Sequence, residues 1–522
     1  MKKLVSIFLA LALLLAVSIP AFAANLNITD LGDRDYVGYK LLNLTTSPKA
    51  EGEGYNYAYT VNAKYRTILR NEVFAANNAI AATAADVTDT QIIEYLAAQQ
   101  GDSNGVYNSM RTVADCIYRA IKAANPAITP DATDLTGNND VVEQGYWMFA
   151  DVTDLANANE ANSLVMVSTM GQEDITINFK RDLPTVEKKV KDINDSEDNN
   201  IADNAWVDSA DHDTNSVVPF KLTATLPSNV ANYEAYKVIF HDTLSSGLAL
   251  SDTNKANIKV YMYASKAAAD ADVDLTGTKT DVTASFTVTT ANDNGNTKID
   301  ITCTDVLDIT GVTKDSAFVV YYETTLDTDA VIGAAGNPNE VYLEYSNDPY
   351  GTSTGKTAVD VVKVFTYKVI INKTDDSNNP LKGAGFTLSK KNSAGEYVEI
   401  SEIVGGDLTQ FVWNGLDDGD YKLEESTVPA GYNKMADLEF TISATHSELA
   451  DEPALTALNG GSLGTGVVDT GAITKAIVNN TGTILPETGA IGTIIFIVCG
   501  AILAAGAAVF MITRKKMSVY ED

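Results

Sequence analysis

Along most of this chain apolar residues recur at every second position. Runs such as "VVPFKLTATLP", "YKVIFHD", "KIDITCTD" and "EVYLEYSN" alternate apolar and polar side chains, the period of a strand with one buried face. Asn, Asp, Gly and Pro clusters separate them, as expected of short strands stacked into sandwiches. Helical spacing is confined to the first third. There "VYNSMRTVADCIYRAIKAAN" sets Met110, Ala114, Ile117 and Ile121 on one face, and "TQIIEYLAAQQ" is a second helical stretch. The expected fold is therefore mainly β. It divides into a β-domain with helical insertions (24–180) and two almost purely β domains (181–360 and 361–484). The Gly/Thr-rich "LNGGSLGTGVVDTG" reads as a late loop.

Two stretches break the pattern. The opening "MKKLVSIFLALALLLAVSIPAFAAN" has a charged start, an apolar core and a small-x-small site at Ala21-Phe22-Ala23, the form of a secretory signal peptide (1–23). Near the other end, residues 490–513 are apolar and long enough to span a bilayer. The basic tail 514–522 begins Arg514-Lys515-Lys516 and holds that end in the cytoplasm. The body of the chain is thus expected outside the cell. Between body and span lies Leu485-Pro486-Glu487-Thr488-Gly489.

Composition narrows the function. The formal net charge is −32, which argues against nucleic acid and anionic membrane surfaces as partners. The cysteines are Cys116, Cys303 and Cys499, and Cys499 lies in the apolar span. No disulfide framework follows from these. Only three histidines are present, and no hydrolase, metalloprotease or phosphate-loop motif occurs. The acidic run "DINDSEDNN" lacks the glycine and terminal Glu of a calcium loop. Neither a turnover enzyme, a cofactor nor a metal is expected.

The alternation does expose one anomaly. In "LPTVEKKVKD", Lys188 shares a face with Val186 and Val190. In "YKVIINKTD", Lys373 shares one with Val369 and Ile371. An unpaired buried ammonium is very costly. Inward polar partners follow the same rule: Asp242 with Val238 and Phe240, Asn347 with Leu343 and Tyr345, Glu425 with Tyr421 and Leu423, and Asn479 with Ile473 and Ile477. Burial pushes an amine toward its neutral, nucleophilic form and a carboxyl toward its protonated form. Such an acid can polarise an asparagine amide while the amine attacks it. Ammonia leaves and a Lys–Asn isopeptide bond remains, a single turnover in which Asp242 and Glu425 act as general acid–base groups. These bonds would tie first to last strands in a protein without disulfides.

The same residues resemble a family, the Gram-positive backbone pilins, the major shaft subunits of sortase-assembled pili. "LPETG", the apolar run and "RKK" look like the LPxTG cell-wall sorting signal. "YKLEESTVPAGY" is similar to the family's E-box, with Ser426 in place of the usual Thr. "INKTDDSNNPLKGAGFTL" resembles the opening of a Cna-B-type domain, and "LPTVEKKV" with "NEVYLEYSNDP" resembles a fimbrial isopeptide-forming domain. The resemblance implies tandem immunoglobulin-like (Cna-type) sandwiches. It implies isopeptide partners Lys188 and Asn347 with Asp242, and Lys373 and Asn479 with Glu425, Asn480 being the rival at the last position. Lys40 could begin a first-domain trio, but no Asn partner stands near that domain's end.

Polymerisation in the family uses an exposed lysine closing the first domain. In "DITINFKRDLP", Ile175, Ile177 and Phe179 alternate inward and Lys180 falls outward. Lys180 is therefore the expected intermolecular acceptor, with Lys189 and Lys191 as alternatives. The resemblance implies that a sortase cuts between Thr488 and Gly489 and joins Thr488 to the next subunit. The implied partners are the sortase, neighbouring pilin subunits, peptidoglycan and host surface ligands, with the membrane engaged only before sorting. A wall-anchored adhesin or minor pilin that is never polymerised shares most of these features.

Overall fold

A computed structural model describes residues 23–29, 34–50, 55–99, 109–179, 181–192, 206–447, 449–482 and 490–517. The signal-peptide core, Lys180 and Leu485–Gly489 fall outside them. The fold is mainly β, with each part of the body built around its own apolar core.

In the first part, Tyr36–Pro48 is the organising strand. It lies between Tyr55–Val61 and Gly145–Asp151 in a five-stranded sheet. Helices Arg66–Ala76, Asp89–Ala98 and Ser109–Lys122 cover that sheet. The last buries Ala114, Ile117 and Ile121 of the face read from its spacing, with Val113 beside them, whereas Met110 is only half-buried. Arg66–Ala76 was not read from the sequence. It buries Leu69 and Val73. A three-stranded sheet of Asp140–Glu143, Ala23–Ile28 and Asp174–Ile177 closes this part. Ile175, Ile177 and Phe179 are buried there, whereas Thr176 and Asn178 are exposed.

The middle part is a two-sheet sandwich. One sheet runs Val186–Lys191, Val217–Thr225, Ala317–Leu326, Lys259–Tyr263 through its centre. The other runs Asp360–Phe365, Asn337–Ser346, Val238–Leu244, Asn296–Cys303. Alternate residues of both sheets fill one core, from Val190 and Phe220 to Leu343 and Val364.

The last part repeats the plan on a smaller scale. Tyr367–Thr374 lies between Gln410–Leu416 and Ala472–Val478, pairing in parallel with the latter. A five-stranded sheet containing Gly385–Lys391 and Gly419–Thr427 packs over it. The parallel pair sets the first strand of this part beside its last. The chain passes from middle to last part through Phe365, Thr366 and Tyr367 with no spacer. The two parts touch closely: a Cβ on Gly333 would lie 2.5 Å from Gly471 N, and Gly333 has φ +92°, a left-handed conformation that suits glycine.

Beyond the body, Ala490–Met517 is one helix. Its segment Phe496–Arg514 is apolar enough to cross a membrane and is not buried by the protein. The cysteines carry free thiols, Cys303 buried and Cys116 exposed.

Candidate functional site: two buried lysine, acid and asparagine clusters

Strand Val186–Lys191 carries Lys188 into the middle core between Val186 and Val190 because strand side chains alternate. The residue is fully buried, and Asp242 is 1 % exposed. Lys188 Nζ lies 2.6 Å from Asp242 Oδ2 and over the rings of Phe220 and Tyr322, 5.3 and 5.5 Å from their centroids. The two charged groups sit in opposite sheets, so they meet across the sandwich. Burial pulls the Lys188 amine below its ordinary pKa, against the opposing pull of Asp242. Burial likewise raises the Asp242 carboxyl, with Lys188 opposing. Both shifts favour a proton moving from nitrogen to oxygen, leaving a neutral amine beside a neutral acid.

The asparagine at this site is Asn339, and the expectation of Asn347 is corrected. Strand Asn337–Ser346 pairs with Val238–Leu244 so that Val341 faces Asp242. Asn347 lies six residues beyond Val341, about 20 Å along the strand at ~3.3 Å per residue. Its amide is engaged elsewhere: Nδ2 donates to Leu155 O at 2.8 Å, and Oδ1 accepts from Ser353 Oγ at 2.6 Å. Asn162 N also donates to Asn347 O at 2.8 Å. Asn347 therefore fastens the middle part to the first. Asn339 is two residues from Val341 on the same face and is fully buried. Its Nδ2 donates to Tyr322 Oη at 2.8 Å. Tyr322 in turn donates to Asp242 Oδ2 at 2.9 Å and lies 3.2 Å from Lys188 Nζ. Asn339 Oδ1 and Asp242 Oδ1 are buried without hydrogen-bond partners.

Tyr322 is thus a member of the cluster that sequence reasoning missed. Its position is inward by the same alternation, with Phe318 and Val320, and a buried tyrosine hydroxyl needs a polar partner. That need was the available signal.

The second cluster lies in the last part. Strand Tyr367–Thr374 shows strict alternation of burial and delivers Lys373, fully buried, to its end. Lys373 stands opposite Ile477 in the parallel pair, and its Nζ donates to Ile477 O and Thr374 O, each at 3.1 Å. Asn479 follows directly, with its backbone N donating to Thr374 O at 3.0 Å. Glu425 enters from the facing sheet on strand Gly419–Thr427. Asn479 Nδ2 donates to Glu425 Oε1 at 2.6 Å, and Glu425 Oε2 accepts from Met435 N at 2.8 Å. Glu425 and Asn479 are each 1 % exposed, whereas Asn480 is exposed. Burial lowers the Lys373 amine, with Glu425 opposing. As in the first cluster, the asparagine Oδ1 is buried without a hydrogen-bond partner.

The remaining candidates are placed as follows. Lys40 Nζ pairs with the exposed Glu143 at 2.6 Å, and Asn62 Nδ2 donates to the Lys40 backbone O at 2.8 Å. Lys189 pairs with Asp208 at 2.5 Å and Glu187 at 3.1 Å. Lys191 lies 3.8 Å from Asp274 and over the Trp206 ring. Lys180 is outside the described residues, but its neighbours are fixed. Phe179 is buried and stacks on Tyr36, with centroids 4.9 Å apart. Arg181 Nη2 donates to Asp151 Oδ2 at 2.7 Å.

Comparison with known proteins finds the following similarities. A family model described as SpaA, prealbumin-like fold domain, matches residues 367–452, and one described as LPXTG cell wall anchor motif matches residues 477–518. The "Trypsin-resistant surface T6 protein" of Streptococcus pyogenes serotype M6 is 27 % identical over 129 residues, covering 22 % of this chain and 23 % of the relative. The chain thus matches about a quarter of that relative's length. Among solved structures, the T6 backbone pilin of serotype M6 Streptococcus pyogenes aligns over 88 % of this chain and 99 % of its own, at 16 % identity and TM-score 0.48. The Corynebacterium diphtheriae major pilin SpaA aligns over the same shares at 13 % identity and TM-score 0.41. The group B streptococcus pilus 2b backbone protein covers 53 % of this chain and 97 % of its own, at 21 % identity and TM-score 0.37. The chain carries a prealbumin-like SpaA domain and an LPXTG cell wall anchor, and it resembles the Gram-positive backbone pilins.

Proposed function

We propose that this chain is the structural backbone subunit of a covalently polymerised cell-surface pilus. A sortase cuts between Thr488 and Gly489 and joins Thr488 to Lys180 of the next subunit. Head-to-tail joining that does not close on itself gives a filament. The membrane helix then serves only until Thr488 is captured, and peptidoglycan receives the final subunit.

The observation that carries this reading is the buried Lys373, Glu425 and Asn479 cluster, just ahead of an LPXTG anchor. A shaft under tension needs domains that resist unfolding, and the clusters have the parts for covalent closure. The neutral Lys373 amine attacks Cγ of Asn479. The C–N bond to Nδ2 breaks, and Glu425, 2.6 Å from Nδ2, takes the proton that Nζ releases and delivers it to Nδ2, so that ammonia leaves. The new Nζ–Cγ bond replaces the old one, and no oxidant or cofactor enters. In the middle part Lys188 and Asn339 play the same roles, with Asp242 as the acid and Tyr322 relaying between acid and amide. This chemistry happens once per bond, so the chain is a substrate and not a turnover enzyme. The middle bond would join the two sheets rather than first and last strands, because Asp360–Phe365 follows the Asn339 strand.

Lys180 is favoured as acceptor because Lys189 and Lys191 are occupied by ion pairs, and because both neighbours of Lys180 are anchored. Incubation of the purified protein with the pilus sortase is expected to give a ladder of SDS-resistant multimers, and Lys180→Ala is expected to abolish it. A ladder that persists in Lys180→Ala refutes the acceptor. No ladder at all favours the alternative, a wall-anchored adhesin or minor pilin that is not polymerised.

A further inference from the structure

We propose that Asp192, Asp211, Asp417, Asp418 and His446 form a divalent-cation site that ties the middle part of the protein to the last. Asp192 follows strand Val186–Lys191, and Asp211 ends strand Ser209–Asp211. Both belong to the middle part. Asp417 and Asp418 form the turn before strand Gly419–Thr427, and His446 ends strand Leu438–His446. All three belong to the last part. Every one is under 9 % exposed. The ligating atoms of Asp192, Asp211 and His446 lie within 4.8 Å of one another, and so do those of Asp211, Asp417 and Asp418. Asp211 is common to both sets.

Two further observations point to a ligand. The first is the orientation of His446. Ser209 Oγ donates its one proton to Ser447 O at 2.9 Å and lies 2.8 Å from His446 Nδ1, so Ser209 must accept from Nδ1–H. In the neutral ring this fixes the lone pair on Nε2, the arrangement by which an outer hydrogen bond prepares a metal-binding histidine. That Nε2 lies 3.7 Å from Asp211 Oδ1. The second is Tyr367. Its hydroxyl is fully buried, lies against Asp211 near Asp417 and Asp418, and makes no hydrogen bond of ordinary geometry. Asp211 Oδ2 is likewise buried without a hydrogen-bond partner.

Charge points the same way. Lys390 supplies a cation at 3.3 Å from Asp417 Oδ2, but it is shared with Asp213 at 2.8 Å. Gathering buried carboxylates is costly unless positive charge offsets them. Carboxylate oxygens suit hard cations, while an imidazole favours a borderline one. The mixed set therefore fits Mn²⁺ or Zn²⁺ better than Mg²⁺. Such an ion would brace the junction that neither proposed isopeptide bond crosses. The five residues come from four separated segments, so no motif in the sequence announces them.

The full chain, purified in detergent without chelator, tests this by metal analysis and thermal melting. About one equivalent of ion per chain is expected. EDTA should lower the melting temperature, and added Mn²⁺ or Zn²⁺ should restore it. Asp211→Asn should lose both the ion and the response. His446→Gln, which keeps all four carboxylates, should bind the ion more weakly than the parent, and it serves as the test where Asp211→Asn fails to fold. Absence of bound ion with no response to EDTA or added ions overturns the proposal. So does an Asp211→Asn chain that melts higher than the parent with and without metal, the mark of a buried carboxylate paired only with a protonated His446. A response to Ca²⁺ alone overturns the assignment of His446 as a ligand.

Discussion

Replacing Asn339 by alanine separates the two candidate asparagines of the middle part. In the parent, the proposed Lys188–Asn339 bond would close a loop of about 150 residues. In the chain-entropy model such a closure stabilises by about 5 kcal/mol, a model-dependent figure near the top of the measured range. Asn339→Ala removes that closure; the hydrogen bond from Asn339 Nδ2 to Tyr322 adds nothing to the difference, because Nδ2 leaves as ammonia when the bond forms. At about 2–4 °C per kcal/mol for a unit of this size, the middle transition should fall by roughly 10–20 °C. Intact mass gives the sharper reading. The parent should be lighter than its sequence by one ammonia for each bond, two in all, and Asn339→Ala should retain one of them. Asn347→Ala should show the parent's two losses. It loses only its contacts with Leu155 and Ser353, a cost of about 1–3 kcal/mol. If Asn347→Ala regains an ammonia while Asn339→Ala does not, the register argument is wrong.

Other outcomes follow from the same geometry. Glu425→Ala should retain the ammonia of the last part, read by mass of the fragment containing Lys373 and Asn479; an unchanged deficit shows that Glu425 has no role. Tyr322→Phe should leave a measurable fraction of chains uncyclised in the middle part, since the relay between Asp242 and Asn339 is cut, whereas full closure in this variant removes Tyr322 from the chemistry. In Asn339→Ala the Lys188 amine stays free, and burial holds its pKa below the ordinary 10.5. Between the folded pKa and 10.5 the unfolded chain then binds more protons, so stability should rise with pH across that window. The raised carboxyl of Asp242 acts in the opposite sense between its ordinary 3.8 and its raised folded value. Melting curves that are flat or fall toward alkaline pH contradict a depressed amine.

Period-two alternation located the inward lysines because a strand leaves a side chain only two faces, and Lys188 and Lys373 fell on the apolar one. Glu425 was legible for the same reason. Asn479 and its rival Asn480 differ by one residue and so take opposite faces, and the structure buries Asn479 alone. The error at Asn347 has a specific cause. Asn339 and Asn347 share one inward face of one strand, and alternation fixes the face without fixing the height along it. Height is set by the pairing of Val341 with Asp242, a long-range register that the local sequence does not encode. The Asp211 and His446 cluster was illegible because its members are brought together only by packing between two parts of the chain. Lys180 and the sorting pentapeptide rest on sequence, supported by the anchored Phe179 and Arg181 and by the match to the anchor motif.

The central claim is a covalent shaft, and the most direct measurement is peptide mapping of fibres sheared from cells. Digestion should release a branched peptide in which the Thr488 carbonyl is joined to Lys180 Nζ, with Gly489 and everything beyond it absent. Fibres or wall extracts that contain this chain only as monomers, with Thr488 attached solely to peptidoglycan, would contradict it.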